Sequence, residues 1–485
     1  MTQGHSREDV PSTLDDSLAP SDVASIQGRV QHTPPRPSGQ PRPKSKAPSQ
    51  EARAARRASA ASRADYDVPD TYANLGETAD ASAIRNPDEA SVCHLRSLEQ
   101  LRDQEQEYVG GQRLQRQDSA GRRAQEEEKE AEAATYPVSR LATQIYTLSY
   151  LVFFSIWGTL ARLGLQALTT YPGAPVIYSS IWPNFAGSLI MGFLAEDRML
   201  LREEWGKSNG SRERDEEASD AHVAAARKAH LSIKKTIPLY IGLATGFCGS
   251  FTSFASFVRD MYLALANDLP AIDGPPRNGG YSFLALVGVV MMTVSLSLSG
   301  LFLGAHLAIF LEPITPSIPF LFTRKILDRL VVLLGWGCWL GAVLLSIFPP
   351  HDYWRGTATF ALVFAPLGCL LRFYMSMYLN GRMASFPLGT FAVNIFGTAI
   401  LGMSWDLAHV PLGGVVGCQV LQGVQDGFCG CLTTVSTWVS ELATLRRRHA
   451  YVYGSASVLA GLAIMVAVMG GLRWSGGWEA LVCTH

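Results

Sequence analysis

The sequence predicts an all-α polytopic membrane protein: two inverted four-helix repeats joined by a single linking transmembrane helix, nine spans in all, with the third helix of each repeat broken. Three observations predict it. After Tyr136 the chain falls into runs of about twenty apolar residues separated by short polar breaks, the length a bilayer core demands. Lys and Arg gather in alternate breaks. The phrase GFCGSFTSFASF, residues 246–257, returns 181 positions later as GFCGCLTTVSTW, residues 427–438.

The first 136 residues stand apart. They are crowded with Ser, Pro, Ala, Arg, Glu and Gln, as in PPRPSGQPRPKSKAPSQEARAARRASAASR, and their few apolar residues follow no helix or strand period. Such a segment cannot bury enough to offset chain entropy, so a disordered cytoplasmic region without chemistry is expected. No apolar run suited to a secretory signal precedes the spans, so the first membrane helix is expected to direct insertion.

The spans are expected near 140–169, 177–197, 237–265, 281–311, 327–348, 357–380, 386–407, 411–443 and 450–473. The break at 198–235 carries Arg198, Arg202, Lys207, Arg212, Arg214, Arg227, Lys228, Lys234 and Lys235. Later breaks add Arg324, Lys325, Arg382, Arg446, Arg447 and Arg448. With the N-terminus inside, all of these fall on the cytoplasmic side, and the opposite breaks hold little beyond Arg277 and Arg355. The formal net charge of −1 says nothing of partners.

The halves align beyond the repeated phrase. GTLAR at 158–162 matches GCLLR at 368–372, and NFAG at 184–187 matches NIFG at 394–397. In each half the Arg precedes the Asn by 22 positions. Chance does not produce such an ordered set. The organisation is therefore an N-terminal region 1–136, a first repeat 137–312, a linker 313–355 with the inverting helix, and a second repeat 356–485. The eight cysteines lack zinc-site groupings, and the pair Cys429 and Cys431 is answered in the first copy by Cys248 and Ser250, so neither metal nor disulfide is expected there.

A phrase with Gly246, Gly249, Thr252, Ser253 and Ser256 makes a poor lipid-facing helix, because glycine lowers helix propensity and hydroxyls compete for backbone bonds. Broken backbone at membrane depth lines a cavity or is buried by protein, and its freed carbonyls can hold a cation. Close Gly-x-x-Gly helix packing is the plainer reading. Arg162 and Arg372 sit near span ends, where an arginine either snorkels or serves an anion vestibule. Asn184 and Asn394 offer amide donors to an anion, or an interhelical bond of about 0.6 kcal/mol.

Together, Gly-x-x-x-Arg, Asn-x-x-Gly and Gly-Phe-Cys-Gly-x-x-Thr-[Ser/Thr] resemble the fluoride channels, called Fluc in bacteria, and their fused fungal exporter form, FEX. The resemblance covers nearly everything after residue 140. It implies an antiparallel dimer of four-helix units fused through an inverting helix, a passive fluoride channel and not an enzyme. It implies fluoride and the lipid bilayer as partners, no nucleic acid, a functional monomer that is a fused pseudo-dimer, and a plasma-membrane location. A structural sodium ion would be held by backbone carbonyls of Gly249, Thr252, Gly430 and Thr433. The pore asparagines would be Asn184 and Asn394, and the paired phenylalanines Phe254 and Phe257, whose counterparts are Val435 and Trp438.

On the last helix, Tyr453 and Ser457 match the family's polar track, with Gly461 below them. Counting back from Gly304 as from Gly470 gives Val287, Met291 and Ser295, a track that looks lost, although the same helix carries Thr293, Ser297 and Ser299. One intact route is expected, combining Asn394, Tyr453 and Ser457 with Phe254 and Phe257. A proton-coupled transporter of a small solute is the competing reading, with Asp260 and Glu441 as couplers. A scaffold using the N-terminal tail explains none of the paired motifs. No Walker phosphate loop is present to support ATP-driven pumping.

Overall fold

Ser139 opens the first long helix by accepting the Ala142 amide on its hydroxyl, and from there the described chain is helical wherever it is regular. The computed structural model describes residues 139–172, 174–201, 234–269, 278–410, 413–481 and 483, all within the unit Ser59–His485. The expected disordered region 1–136 and most of the cationic break at 198–235 lie outside them.

In chain order the helices are α1 (Arg140–Thr169), α2 (Ile181–Glu196), α3 (238–251), α4 (Phe254–Ala266) and α5 (Gly279–Leu311). Then come α6 (Asp328–Ile347), α7 (Phe360–Leu379), α8 (Leu388–Ala408), α9 (414–432), α10 (Ser436–Thr444) and α11 (Arg447–Ser475). The series α1 to α5 and α7 to α11 correspond element by element, and α6 stands between them.

Among the described residues seven helices are long and apolar enough to cross a membrane. Two of the expected spans fall short for different reasons. At 16 residues α2 is about 24 Å long, less than a bilayer core. The span expected at 411–443 is less apolar, with Gln419, Gln422, Gln425 and Asp426, whereas the equally broken α3 with α4 still qualifies.

Glycine sets the tightest packing. A Cβ on Gly192 collides with the Leu301 carbonyl, and one on Gly304 with the Leu189 carbonyl, so α2 and α5 touch backbone to backbone. The linking helix α6 lies against α1 and α7. The Trp336 indole donates to the Ser149 hydroxyl at 3.1 Å, Trp339 to the Val363 carbonyl at 2.9 Å, and the Tyr150 hydroxyl to Asp328 at 3.0 Å. Its opposite face, with Leu333, Leu340 and Ile347, is exposed, as a lipid-facing helix requires.

Candidate functional site: a pair of crossed helix breaks

Each copy of the repeated phrase breaks its helix in the same way. A π-type turn, Gly242–Cys248 or Val424–Cys429, leads into one last helical turn, after which Thr252 (φ −98°, ψ 153°) and Thr433 (φ −97°, ψ 150°) are extended. The asparagines hold the breaks open. Asn184 accepts the Ser253 amide at 2.9 Å and donates to the Ser253 carbonyl at 3.4 Å. Asn394 does the same to Thr434, at 2.9 and 3.2 Å. Both side chains are buried. Each amide nitrogen carries two hydrogens, and this clamp uses one of them.

The two breaks cap each other. The Thr433 hydroxyl accepts the Ala255 amide at 3.0 Å, and the Thr252 hydroxyl accepts those of Val435 and Ser436 at 3.1 Å each. Both threonines donate back to their own cysteine carbonyls, Cys429 and Cys248. A threonine of one repeat thus caps first-turn amides of the half-helix in the other, beside that helix's own cap from Ser253 or Thr434. Sequence reading finds the threonines but not this exchange, because a helix normally draws its cap from its own chain segment.

The four carbonyls expected to hold a cation lose their ladder donors. In an unbroken helix Ser253 and Ser256 amides bond to Gly249 and Thr252. Here Ser253 gives its amide to Asn184, and Ser256 to the Ser253 hydroxyl at 3.2 Å. In the second repeat the Thr434 amide goes to Asn394, and that of Thr437 to the Thr434 hydroxyl at 3.4 Å. Gly249, Thr252, Gly430 and Thr433 therefore present carbonyls, the oxygen donors a hard cation takes. The residues fit a sodium ion.

Arg162 and Arg372, expected at a vestibule, are 1% and 0% exposed. Arg162 donates to the Ser250 carbonyl at 3.0 Å and to that of Asp426; Arg372 donates to the Thr245 carbonyl. A Cβ on Gly430 strikes the Arg162 guanidinium, and one on Gly249 that of Arg372. Each arginine reaches into the opposite repeat's break, and only glycine leaves room for it.

Around the second repeat's last helix the expected route residues come together with one addition. Phe254 and Phe257 meet edge to face at 5.7 Å, and Phe254 also meets Trp438 at 5.4 Å. A Cβ on Gly461 lies 3.3 Å from Phe254 and 3.1 Å from Val258; one on Gly454 lies 3.9 Å from Trp438. The rings facing α11 therefore come from both repeats. Trp438 stood in the sequence as the counterpart of Phe257, which was the available signal. Ser457 donates to the Tyr453 carbonyl at 2.8 Å. Tyr453 donates to Glu441 at 2.7 Å, as does Thr390 to the other carboxylate oxygen. Asp260 accepts the Ser180 amide and pairs with Arg259 at 3.0 Å. Both carboxylates expected as couplers are thus engaged structurally.

The first repeat's track requires a correction. Gly192 meets Leu301 where its counterpart Gly402 meets Met465, so Leu301 matches Met465. Tyr453, Ser457 and Gly461 then correspond to Val289, Thr293 and Ser297, two residues on from Val287, Met291 and Ser295. Two residues rotate a helix by about 200°, enough to swap faces. Accordingly Met291 and Ser295 are exposed, and Val289, Thr293 and Ser297 are buried. The tyrosine is lost but hydroxyls are kept. Among the described residues the Thr293, Ser297 and Ser188 hydroxyls have no hydrogen-bond partner.

One pairing was missed altogether. Cys418 and Cys483 form a disulfide, Cα to Cα 5.3 Å, across 65 positions of sequence that no local spacing could suggest.

The family model described as CrcB-like protein, Camphor Resistance (CrcB), matches residues 149–305 and 359–471. The chain belongs to this family. Among curated proteins it is 59% identical to Fluoride export protein 1 of Neurospora crassa over 460 residues, 89% of this chain and 87% of the relative. It is 32% identical to Fluoride export protein 1 of Candida albicans, over 68% of this chain and 80% of that one. The Fluoride-specific ion channel FluC of Geotalea daltonii matches at 34% over 22% of this chain but 86% of its own length. That relative is thus comparable in length to one repeat here. No solved structure matches. With seven membrane-length helices among its described residues, this CrcB-like chain is a multi-pass membrane protein.

Proposed function

We propose that the protein is a passive, fluoride-selective channel, not an enzyme, which exports fluoride from the cytoplasm across the plasma membrane and so confers fluoride resistance. The observation that carries this reading is the pair of asparagine-clamped, mutually capped breaks in a CrcB-like chain whose relatives are named fluoride exporters and fluoride channels.

Fluoride is small and strongly hydrated, so a route must replace its water with donors while staying too narrow for chloride. Asn394 supplies its second amide hydrogen, Tyr453 and Ser457 line the inner stretch, and the positive edges of Phe254 and Phe257 face the ion. Arg162 and Arg372 add positive potential from beneath the breaks. A sodium ion would be held by the carbonyls of Gly249, Thr252, Gly430 and Thr433 and would supply a fixed positive charge there. Because HF enters by diffusion and dissociates inside, an inside-negative membrane potential drives the anion out without coupling.

The nine crossings are α1, α2, α3 with α4, α5, α6, α7, α8, α9 with α10, and α11, with the N-terminus cytoplasmic. Two features support this orientation: the cationic breaks fall inside, and Cys418 and Cys483 fall outside, where disulfides persist. Cross-capping within a single chain supports a functional monomer, a fused pseudo-dimer. A second route along Asn184, Thr293 and Ser297 has one observation in its favour, the unpartnered hydroxyls.

Purified protein in liposomes, with a fluoride electrode, valinomycin to clamp the potential and chloride as competitor, tests the reading. Rapid fluoride loss without a proton gradient or chloride loss is expected. No fluoride flux from folded protein would refute it.

A further inference from the structure

The segment after α11 does not trail away. Trp478 sits among three rings: Tyr262 of α4 at 6.2 Å, Trp405 of α8 at 5.8 Å and His409 just beyond α8 at 5.4 Å. The Arg473 guanidinium of α11 lies over it at 5.6 Å. Its indole donates to Asp406 of α8 at 3.2 Å, and the Glu479 amide reaches the His409 carbonyl at 3.4 Å. Cys483 then bonds covalently to Cys418 of α9, packed with Ala408.

These contacts join elements of different repeats. α4 belongs to the first, and α8, α9 and α11 to the second. The anion route proposed above passes between the same helices, where Gly461 of α11 meets Phe254 and Val258 of α4. At the same end Tyr262 of α4 also meets Trp474 of α11 directly at 6.1 Å, the Arg259 guanidinium of α4 lies over Trp405 of α8 at 5.5 Å, and Arg473 pairs with Asp268 at 2.8 and 2.9 Å. That pair is partly exposed, 36% and 21%, and so contributes little. To these direct contacts the terminal segment adds a bridge that touches α4 and α8 at once through Trp478 and is covalently anchored on α9.

Resting on the channel reading, we propose that residues 476–481 and Cys483, through Trp478 and the Cys418–Cys483 disulfide, form a positioning clasp that tightens the width between α4 and α8/α11 and hence the preference for fluoride over chloride. Trp478 touches no part of the route itself; it acts through Tyr262 and Trp405.

The test measures fluoride and chloride efflux from the same liposomes for the parent chain, Trp478→Ala, Trp478→Phe and Cys483→Ser, with thermal unfolding alongside. The folded parent is also treated with reduced glutathione, two thiols of which are oxidised to one disulfide as Cys418 and Cys483 take up two electrons and two protons. A change in width of about one methylene alters discrimination by about tenfold or more, so the fluoride-to-chloride ratio is expected to fall by that factor in Trp478→Ala, in Cys483→Ser and on reduction. Trp478→Phe recovers most of it. An unchanged ratio in the reduced parent and in Trp478→Ala, even with a lowered melting temperature, overturns the inference and leaves the segment a stabiliser only. A parent chain that passes no fluoride overturns the channel reading first and this inference with it.

Discussion

Replacing each clamp asparagine by aspartate separates its structural role from a role in permeation. Asn394→Asp and Asn184→Asp are nearly isosteric, and both keep an oxygen for the amide of Thr434 or Ser253, now 2.9 Å from the side chain. Both lose the donor to the carbonyl of the same residue, at 3.2 and 3.4 Å. Leaving one buried acceptor without its donor costs about 1–3 kcal/mol, and the two halves are built alike, so the two losses of stability should agree within about 1 kcal/mol. Permeation should not agree. A new carboxylate about 4 Å from a passing fluoride repels it by roughly 4 kcal/mol at an effective dielectric constant near 20, about a thousandfold in rate. Only the substitution on the conducting route carries that penalty.

The assay is fluoride efflux from liposomes for both variants, with thermal unfolding of each. Asn394→Asp is expected to abolish efflux, and Asn184→Asp to lower it no more than its stability loss explains. Equal losses of efflux defeat the single-route reading and favour a second path along Thr293 and Ser297. A much larger stability loss in Asn394→Asp would instead assign its efflux defect to the clamp.

Gly430→Ala and Gly249→Ala push a methyl into the Arg162 or Arg372 guanidinium and should each cost about 1–3 kcal/mol, whereas Gly341→Ala, with nothing within 4 Å, should not; equal thermal unfolding of all three would refute the packing. Thr433→Val removes the cap on Ala255 and should cost about 1–2 kcal/mol; Thr252→Val uncaps both Val435 and Ser436 and should cost at least as much, and a smaller loss than in Thr433→Val would refute the exchanged caps. Burial pushes Lys234 down to about 8 from 10.5 against the pull of Asp197 and Glu196, while its ammonium donates to the Leu194 carbonyl at 3.0 Å. Between about pH 8 and 10.5 the unfolded chain holds this proton and the folded chain does not, so this lysine makes stability rise with pH there. Lys234→Met should flatten that rise, and an unchanged slope in unfolding scans would show the group is not buried as drawn.

What was legible in the sequence is what recurs at fixed spacing. The breaks at Thr252 and Thr433 and the asparagines Asn184 and Asn394 recur where the aligned halves put them, because each repeated letter answers a repeated local demand; the arginines recur too, but buried against the opposite repeat's glycine and not at a span end. What was not legible depends on rotation or on distance. Counting from one glycine to another missed the first repeat's track by two residues, and on a helix that error moves every side chain to the far face. Only the close crossings at Gly192 and Gly402 fix the register. Trp438 was visible as a letter, but that it meets Phe254 of the other repeat is a fact of crossing. The Cys418–Cys483 pairing needed the path of the terminal segment over α8.

The pattern of likeness between the halves follows from geometry. Residues duplicated in both repeats act at the centre, where each half serves the other: Thr252 caps the Val435 and Ser436 amides, Thr433 caps that of Ala255, and each arginine needs the glycine opposite. Loss of one member harms both breaks, so neither copy is free to change. Residues facing a single route carry no such double duty. Phe254 against Val435, Phe257 against Trp438 and Tyr453 against Val289 differ without disturbing the other half. A fused chain can therefore specialise one side while its centre stays symmetric, an option that two identical subunits encoded by one sequence do not have. Val435→Phe together with Val289→Tyr tests this freedom: both positions are buried, so overpacking should cost about 1–3 kcal/mol at each, but neither side chain takes part in the crossed caps and the fold should be kept; a loss well beyond that sum would show that the centre and the routes are not separable.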